Sequence, residues 1–204
     1  MEPISTIYGK WFFMNADQAR FVVNEIFLLY ESYGAADYIG EPVSQIEHMY
    51  QAAQLAEAEG YDDEVILAAF FHDVGHLCEH VFETRQMDGY GVMDHESLGS
   101  QYLREKGFSE KIARLVESHV PAKRYLTFRY PEYYNKLSEA SKITLDKQGG
   151  RMNETEAKQF ESDSLYLLFI KIREWDDKAK VERIPLPSLE IYKQMAFQHL
   201  MMQN

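Results

Sequence analysis

Residues 62–76, Asp62-Asp63-Glu64-Val65-Ile66-Leu67-Ala68-Ala69-Phe70-Phe71-His72-Asp73-Val74-Gly75-His76, decide how this chain is read. Three acidic residues open the segment, where the positive end of a helix dipole favours negative charge. Seven apolar residues follow without a polar break, which predicts a helix buried on all sides. Two imidazoles and a carboxylate then sit at the end of the buried run, a costly placement unless each group is satisfied. Neutral imidazole and carboxylate are the usual protein ligands of iron, zinc and manganese. On a continuous helix His72 and His76 share a face, with Cβ atoms about 5–6 Å apart. Asp73 lies about 100° around from His72, close enough to bridge toward a second ion.

Outward from this segment the pattern is helical. Apolar spacing over residues 17–34 predicts a helix ending on Gly34. A second helix opens at Pro42 and runs through Ile46, His48 and Leu55 to Gly60. The glycine-rich stretch 81–94 reads as irregular. Helices resume over 95–106 and 109–119, a Tyr- and Pro-bearing stretch at 120–134 separates them from one near 135–147, and Gly149-Gly150 ends that one. Asn153 with Glu156 resembles a capping box for a helix over 153–162, and helices near 164–180 and 187–202 finish the chain. There is no alternating strand pattern, internal repeat or low-complexity linker. The expected fold class is all-α, with residues 1–204 as one domain, since a single core can grow to roughly 250 residues.

Composition narrows the function. An apolar content of 46% is ordinary for a globular protein. A net charge of −12 argues against a nucleic-acid partner, because phosphate backbones demand clustered Lys and Arg. A small anion responds only to local charge and stays compatible. The lone cysteine, Cys78, permits no intrachain disulfide and fits a reducing cytoplasm. No apolar run approaches the roughly 18 residues of a membrane span, and no basic segment precedes an apolar one at the N-terminus. A cytoplasmic protein with no membrane partner is the expectation.

Histidines supply the chemistry. His48, His72, His76, His80, His95 and His119 fall in a metal-site pattern, and a carboxylate in Arg173-Glu174-Trp175-Asp176-Asp177 closes the set. A single ion rarely takes more than three or four protein ligands, so this many candidates point to two metals and to an enzyme. His80, at the end of its helix, is as readily solvated as bound and is set aside. His199, in a C-terminal amphipathic helix, and Cys78 read as ordinary core residues.

His48, the His72-Asp73 doublet and Asp176 resemble the H…HD…D signature of the HD-domain superfamily, an all-helical metal-binding fold. The resemblance extends through Asp37-Tyr38-Ile39-Gly40-Glu41, Gln45-x-Glu47-His48, Gly89-Tyr90-Gly91-Val92, His119-Val120-x-Ala122-Lys123-Arg124-Tyr125-Leu126, Leu137-Ser138-x-Ala140-Ser141 and Lys171-Ile172-Arg173-x-Trp175-Asp176. Together these are similar to HD-domain mixed-valent di-iron oxygenases that cleave the carbon–phosphorus bond of 1-hydroxyphosphonates. The resemblance implies a single HD-domain bundle, two irons in the Fe(II)/Fe(III) state, dioxygen as co-substrate and a small anionic phosphonate as substrate. The phosphonate carries an amino or trimethylammonio group, and the products are phosphate with glycine or glycine betaine. Residues 1–15 fall outside the resemblance, as an N-terminal extension with no assigned role.

By the same resemblance, His48, His72, Asp73 and Asp176 hold one iron. His76, His95 and His119 hold the other, with Asp73 bridging. Asp177 neighbours Asp176, and family position favours Asp176. Lys123 lies four residues after His119 and Arg173 three before Asp176, so both suit a phosphonate oxygen. Ser141 adds a hydroxyl donor. Tyr38 and Glu41 form a lid over the substrate amine, an aromatic face and a carboxylate being apt partners for an ammonium. The competing enzyme reading is a metal-dependent phosphohydrolase acting on a nucleotide or phosphoester. A catalytically silent HD domain sensing a phosphorylated metabolite is a third, against which the intact ligand set argues.

Overall fold

The computed structural model describes residues 14–38, 40–186 and 188–203. Most of the expected extension, and Ile39 of the Asp37–Glu41 motif, lie outside the described residues. Among these residues the regular structure is helical: α1 (Ala16–Tyr33), α2 (Gln45–Ala58), α3 (Asp63–Phe71), α4 (Val74–Leu77), α5 (His95–Glu105), α6 (Glu110–Glu117), α7 (His119–Arg129), α8 (Pro131–Lys136), α9 (Glu139–Lys147), α10 (Glu154–Glu161), α11 (Tyr166–Lys178) and α12 (Glu190–Met202). Two isolated bridges, Asp37 to Ser44 and Gln86 to Val92, close turns and build no sheet.

Local chemistry sets most starts. Asn15, Ser44 and Asn153 each form a capping box, with Gln18, Glu47 and Glu156 reaching back to the cap N–H. Asp62 caps α3 by accepting from Val65 N–H at 3.0 Å. Pro42 therefore precedes α2 instead of opening it, because Ser44 has the side chain that satisfies the first turn.

All seven residues Val65–Phe71 of α3 are buried. The helix packs on α2, α6, α11 and α12, and so forms the axis of the core. Phe70 meets Tyr30 at 4.8 Å and Tyr192 at 4.5 Å between centroids, joining α1, α3 and α12. Phe71 meets Phe108 edge-on at 5.4 Å.

Two expectations are corrected. The helix carrying the His-Asp doublet is not continuous: it breaks at His72–Asp73, and α4 starts afresh at Val74. Residues 120–134, expected to be irregular, are largely the helices α7 and α8. Pro121 is tolerated because it occupies the first turn of α7, where an N–H has no helical partner anyway. The same missing N–H leaves Glu117 without its helical donor, and α6 ends there.

The break after α3 is held by close backbone contact. A Cβ on Gly75 would stand 1.9 Å from the His95 carbonyl oxygen, and one on Gly99 would stand 2.9 Å from Gly75 N. Only glycine lets α4 and α5 approach this closely. Gly75→Ala is therefore expected to lower unfolding stability by about 2 kcal/mol or more, through overpacking against backbone. Chemical denaturation measures this, and an unchanged midpoint would contradict the contact.

Candidate metal centre

Breaks in helices aim the histidines. The last four carbonyls of a helix have no helical donor, and two of them serve as anchors for imidazole. Ala69 O, in the last turn of α3, accepts from His72 Nδ1 at 2.7 Å, and Val116 O, in the last turn of α6, accepts from His119 Nδ1 at 2.9 Å. His95 Nδ1 donates to Val92 O at 3.1 Å, again three residues upstream. His48 Nδ1 donates to Ala179 O, just past α11, at 2.9 Å. A carbonyl can only accept, so in all four rings Nδ1 carries a proton and Nε2 is the nitrogen turned to the cluster, a metal-binding lone pair whenever the ring is neutral.

These lone pairs converge in two sets. His48 Nε2 and His72 Nε2 lie 3.0 Å apart, each 3.4 Å from Asp73 Oδ2. His95 Nε2 and His119 Nε2 lie 2.9 Å apart, at 3.4 and 3.3 Å from Asp73 Oδ1. Asp176 Oδ1 joins the first set at 3.4 Å from His48. All six residues are buried, and Asp73 Oδ2 has no hydrogen-bond partner among the described residues. Electron pairs this crowded repel one another unless protons or metal cations stand between them. The donor set of nitrogen and carboxylate oxygen suits iron, manganese or zinc.

His76 joins the second set differently. Its ring stacks on His95 at 3.9 Å, and its Nδ1 accepts from Val92 N–H at 3.2 Å instead of donating to a carbonyl. Gly91, at φ +88°, passes so close that a Cβ would fall 2.6 Å from His76 Cε1. His76 is thus clamped by the 81–94 loop, and its ring is the one whose orientation no carbonyl fixes. His80 stacks on Tyr33 at 3.6 Å and is exposed, away from the cluster.

Charge follows the geometry. Burial opposes ionisation of Asp73, yet the surrounding His72, His119 and His48 hold its carboxyl well below the usual range. Burial likewise works against a charged His48, but Asp176 and Asp73 carry it up to about 9. Burial, with the Arg173 charge, pushes Lys123 down to about 7.

The other expected residues surround a cavity of about 720 Å³, open mouth included, whose wall holds Tyr38, Glu41, Lys123, Ser141, Arg173 and the metal cluster. Tyr38 stacks on His48 at 4.1 Å. Lys123 Nζ donates to Thr144 Oγ1 at 2.9 Å. Arg173 is more committed than its spacing predicts: it donates to Asp176 Oδ2 at 2.5 Å, to Asp177 Oδ1 and, at 2.9 Å, to Tyr133 OH. Asp177 is turned to Arg173 and Tyr133, which leaves Asp176 as the carboxylate of the cluster. Glu41 Oε1 accepts from Ser138 Oγ and from Lys180 Nζ, both at 2.6 Å. Tyr133, Thr144 and Lys180 escaped the sequence reading. Thr144 had a signal, lying one turn after Ser141 on α9; Lys180 had none.

Lys123 gives a sign-definite prediction. Its folded pKa lies below its unfolded value of about 10.4, so the unfolded chain binds more protons between roughly pH 7 and 10. The cost of burying the charge is full below pH 7 and gone above about pH 10. Lys123→Met should stabilise the protein at pH 6 by on the order of 3 kcal/mol relative to its effect at pH 10. Denaturation at the two values tests it, and a pH-independent difference would contradict it.

The HD domain family matches residues 46–159. The chain is similar to an uncharacterized protein of Acanthamoeba polyphaga mimivirus, 45% identical over 91% of this chain and 85% of that one. It is 40% identical to a [1-hydroxy-2-(trimethylamino)ethyl]phosphonate dioxygenase (glycine-betaine-forming) of Leisingera caerulea, over 74% of this chain and 76% of that one. A hydroxymethylphosphonate dioxygenase of Gimesia maris is 35% identical over 83% and 84% of the two chains.

Proposed function

The chain belongs to the HD-domain family, in the group that includes these phosphonate dioxygenases, and we propose that it cleaves the carbon–phosphorus bond of a small 1-hydroxyphosphonate with dioxygen. The observation that carries this reading is the division of Asp73 between two histidine pairs, one oxygen to each. His48, His72, Asp73 and Asp176 would hold one iron, and His76, His95, His119 and the shared Asp73 the other. A mixed-valent Fe(II)/Fe(III) pair supplies the redox and dioxygen chemistry when bound.

The chain's own residues position and charge the substrate. Lys123 Nζ and Ser141 Oγ bind the phosphonate oxygens, an anion that restores the charge burial takes from Lys123. Arg173 holds Asp176 in place through a charge-assisted hydrogen bond and stands on the same wall. Tyr38 and the 81–94 loop exclude water. The balance requires no external reductant: R–CH(OH)–PO3H2 and O2 give R–COOH and H3PO4, the substrate supplying all four electrons. R carries an amino or trimethylammonio group in the amine-bearing version of this reaction and is hydrogen in hydroxymethylphosphonate.

The test is phosphate release from 1-hydroxyphosphonates by Fe(II)-loaded protein, with and without oxygen. Release that requires oxygen is expected. Equal release under argon would contradict the reading, and release from nucleotides alone would favour the phosphohydrolase.

A further inference from the structure

The charge at one end of the cavity is already spent. Glu41 is a wall carboxylate with only 8% of its side chain exposed, and Lys180, 17% exposed, donates to its Oε1 at 2.6 Å. Ser138 Oγ donates to the same oxygen at 2.6 Å. A cation drawn to Glu41 would be placed against Lys180 Nζ as well, and like charges juxtaposed in a poorly solvated site exclude the wrong ligand. The remaining wall carboxylate outside the histidine cluster, Glu79, is exposed and takes the Gln86 amide at 2.7 Å, so water screens it. Among the described residues a quaternary ammonium has no aromatic cage here: Tyr38 and Tyr90 are the tyrosines of the wall, and His48 covers one face of Tyr38. Gln45 and Gln148 stand on the same wall, and their Oε1 atoms are buried with no partner among the described residues.

We propose that the Glu41–Lys180 pair makes this chain selective for 1-hydroxyphosphonates whose second substituent is uncharged, and that Lys180 is the specificity-determining residue. The inference rests on the 1-hydroxyphosphonate reading of the site. The substrate class is hydroxymethylphosphonate and its neutral, hydroxyl-bearing homologues; a hydroxymethyl substituent can donate to a glutamine oxygen, which hydrogen cannot. (1,2-Dihydroxyethyl)phosphonate, matched in size to the 2-amino compound, would give glycolate and phosphate from one O2.

Binding separates the charge effect from turnover. Iron-loaded protein is titrated under argon, by calorimetry, with (1,2-dihydroxyethyl)phosphonate, 2-amino-1-hydroxyethylphosphonate and its trimethylammonio analogue. The diol is expected to bind at least ~10-fold more tightly than either cation. Lys180→Met should move the ratio at least ~10-fold toward the cations by freeing Glu41, and Lys180→Arg should keep it. An amine that binds wild type as well as the diol overturns the proposal, as does a ratio unmoved by Lys180→Met. If this binding order holds while no 1-hydroxyphosphonate releases phosphate with oxygen, the selectivity stands and the oxygenase reading falls.

Discussion

The interaction on which the rest depends is the carboxylate of Asp73 among four imidazole Nε2 atoms, two at each oxygen. A buried carboxylate and four imidazole nitrogens at such distances are costly without added positive charge between them. The fold accepts this cost in order to hold cations, and its irregularities serve that end. The break after α3 lets His72 and Asp73 leave the helix and frees Ala69 O to anchor His72. Pro121 ends α6 so that Val116 O anchors His119. Gly75 brings α4 against α5, which sets the His76 ring on His95. Each helix end that is imperfect as a helix is complete as part of the site.

Much of this was legible in the chain because it is local. The cap at Asn153 and the acidic opening Asp62-Asp63-Glu64 announce helix starts through groups within three residues, whereas the cap at Ser44 is passed over for Pro42. The apolar run Val65–Phe71 announces its own burial. What escaped was tertiary. His72 and Asp73 are compatible with helix, and only the packing of Gly75 on the His95 carbonyl accompanies the interruption. Proline suggested a loop at 120–134, yet its position in a first turn removed the penalty. Spacing placed Arg173 on the ligand face but left open that Asp177 and Tyr133 would engage its guanidinium. Lys180 meets Glu41 across 139 residues, beyond any local pattern.

Charge reconciles an acidic protein with the anionic substrate proposed for it. The net charge of −12 is carried mainly by exposed carboxylates, whereas the cavity wall sets Lys123 and Arg173 beside the histidine cluster. Screening separates the two, since exposed charges more than about 8–10 Å apart scarcely interact at physiological salt. Inside, where water is scarce, the same charges act strongly. Asp176 and Asp177 neutralise Arg173 and Lys180 neutralises Glu41, whereas Lys123 has only the Thr144 hydroxyl beside it.

The account stands on two cations sharing one carboxylate. Mössbauer spectroscopy of protein reconstituted with iron-57, together with iron analysis, tests that claim most directly. The account predicts two irons per chain, magnetically coupled through Asp73, with the coupling lost in Asp73→Asn. One iron per chain, or two irons without coupling in the wild type, would contradict it.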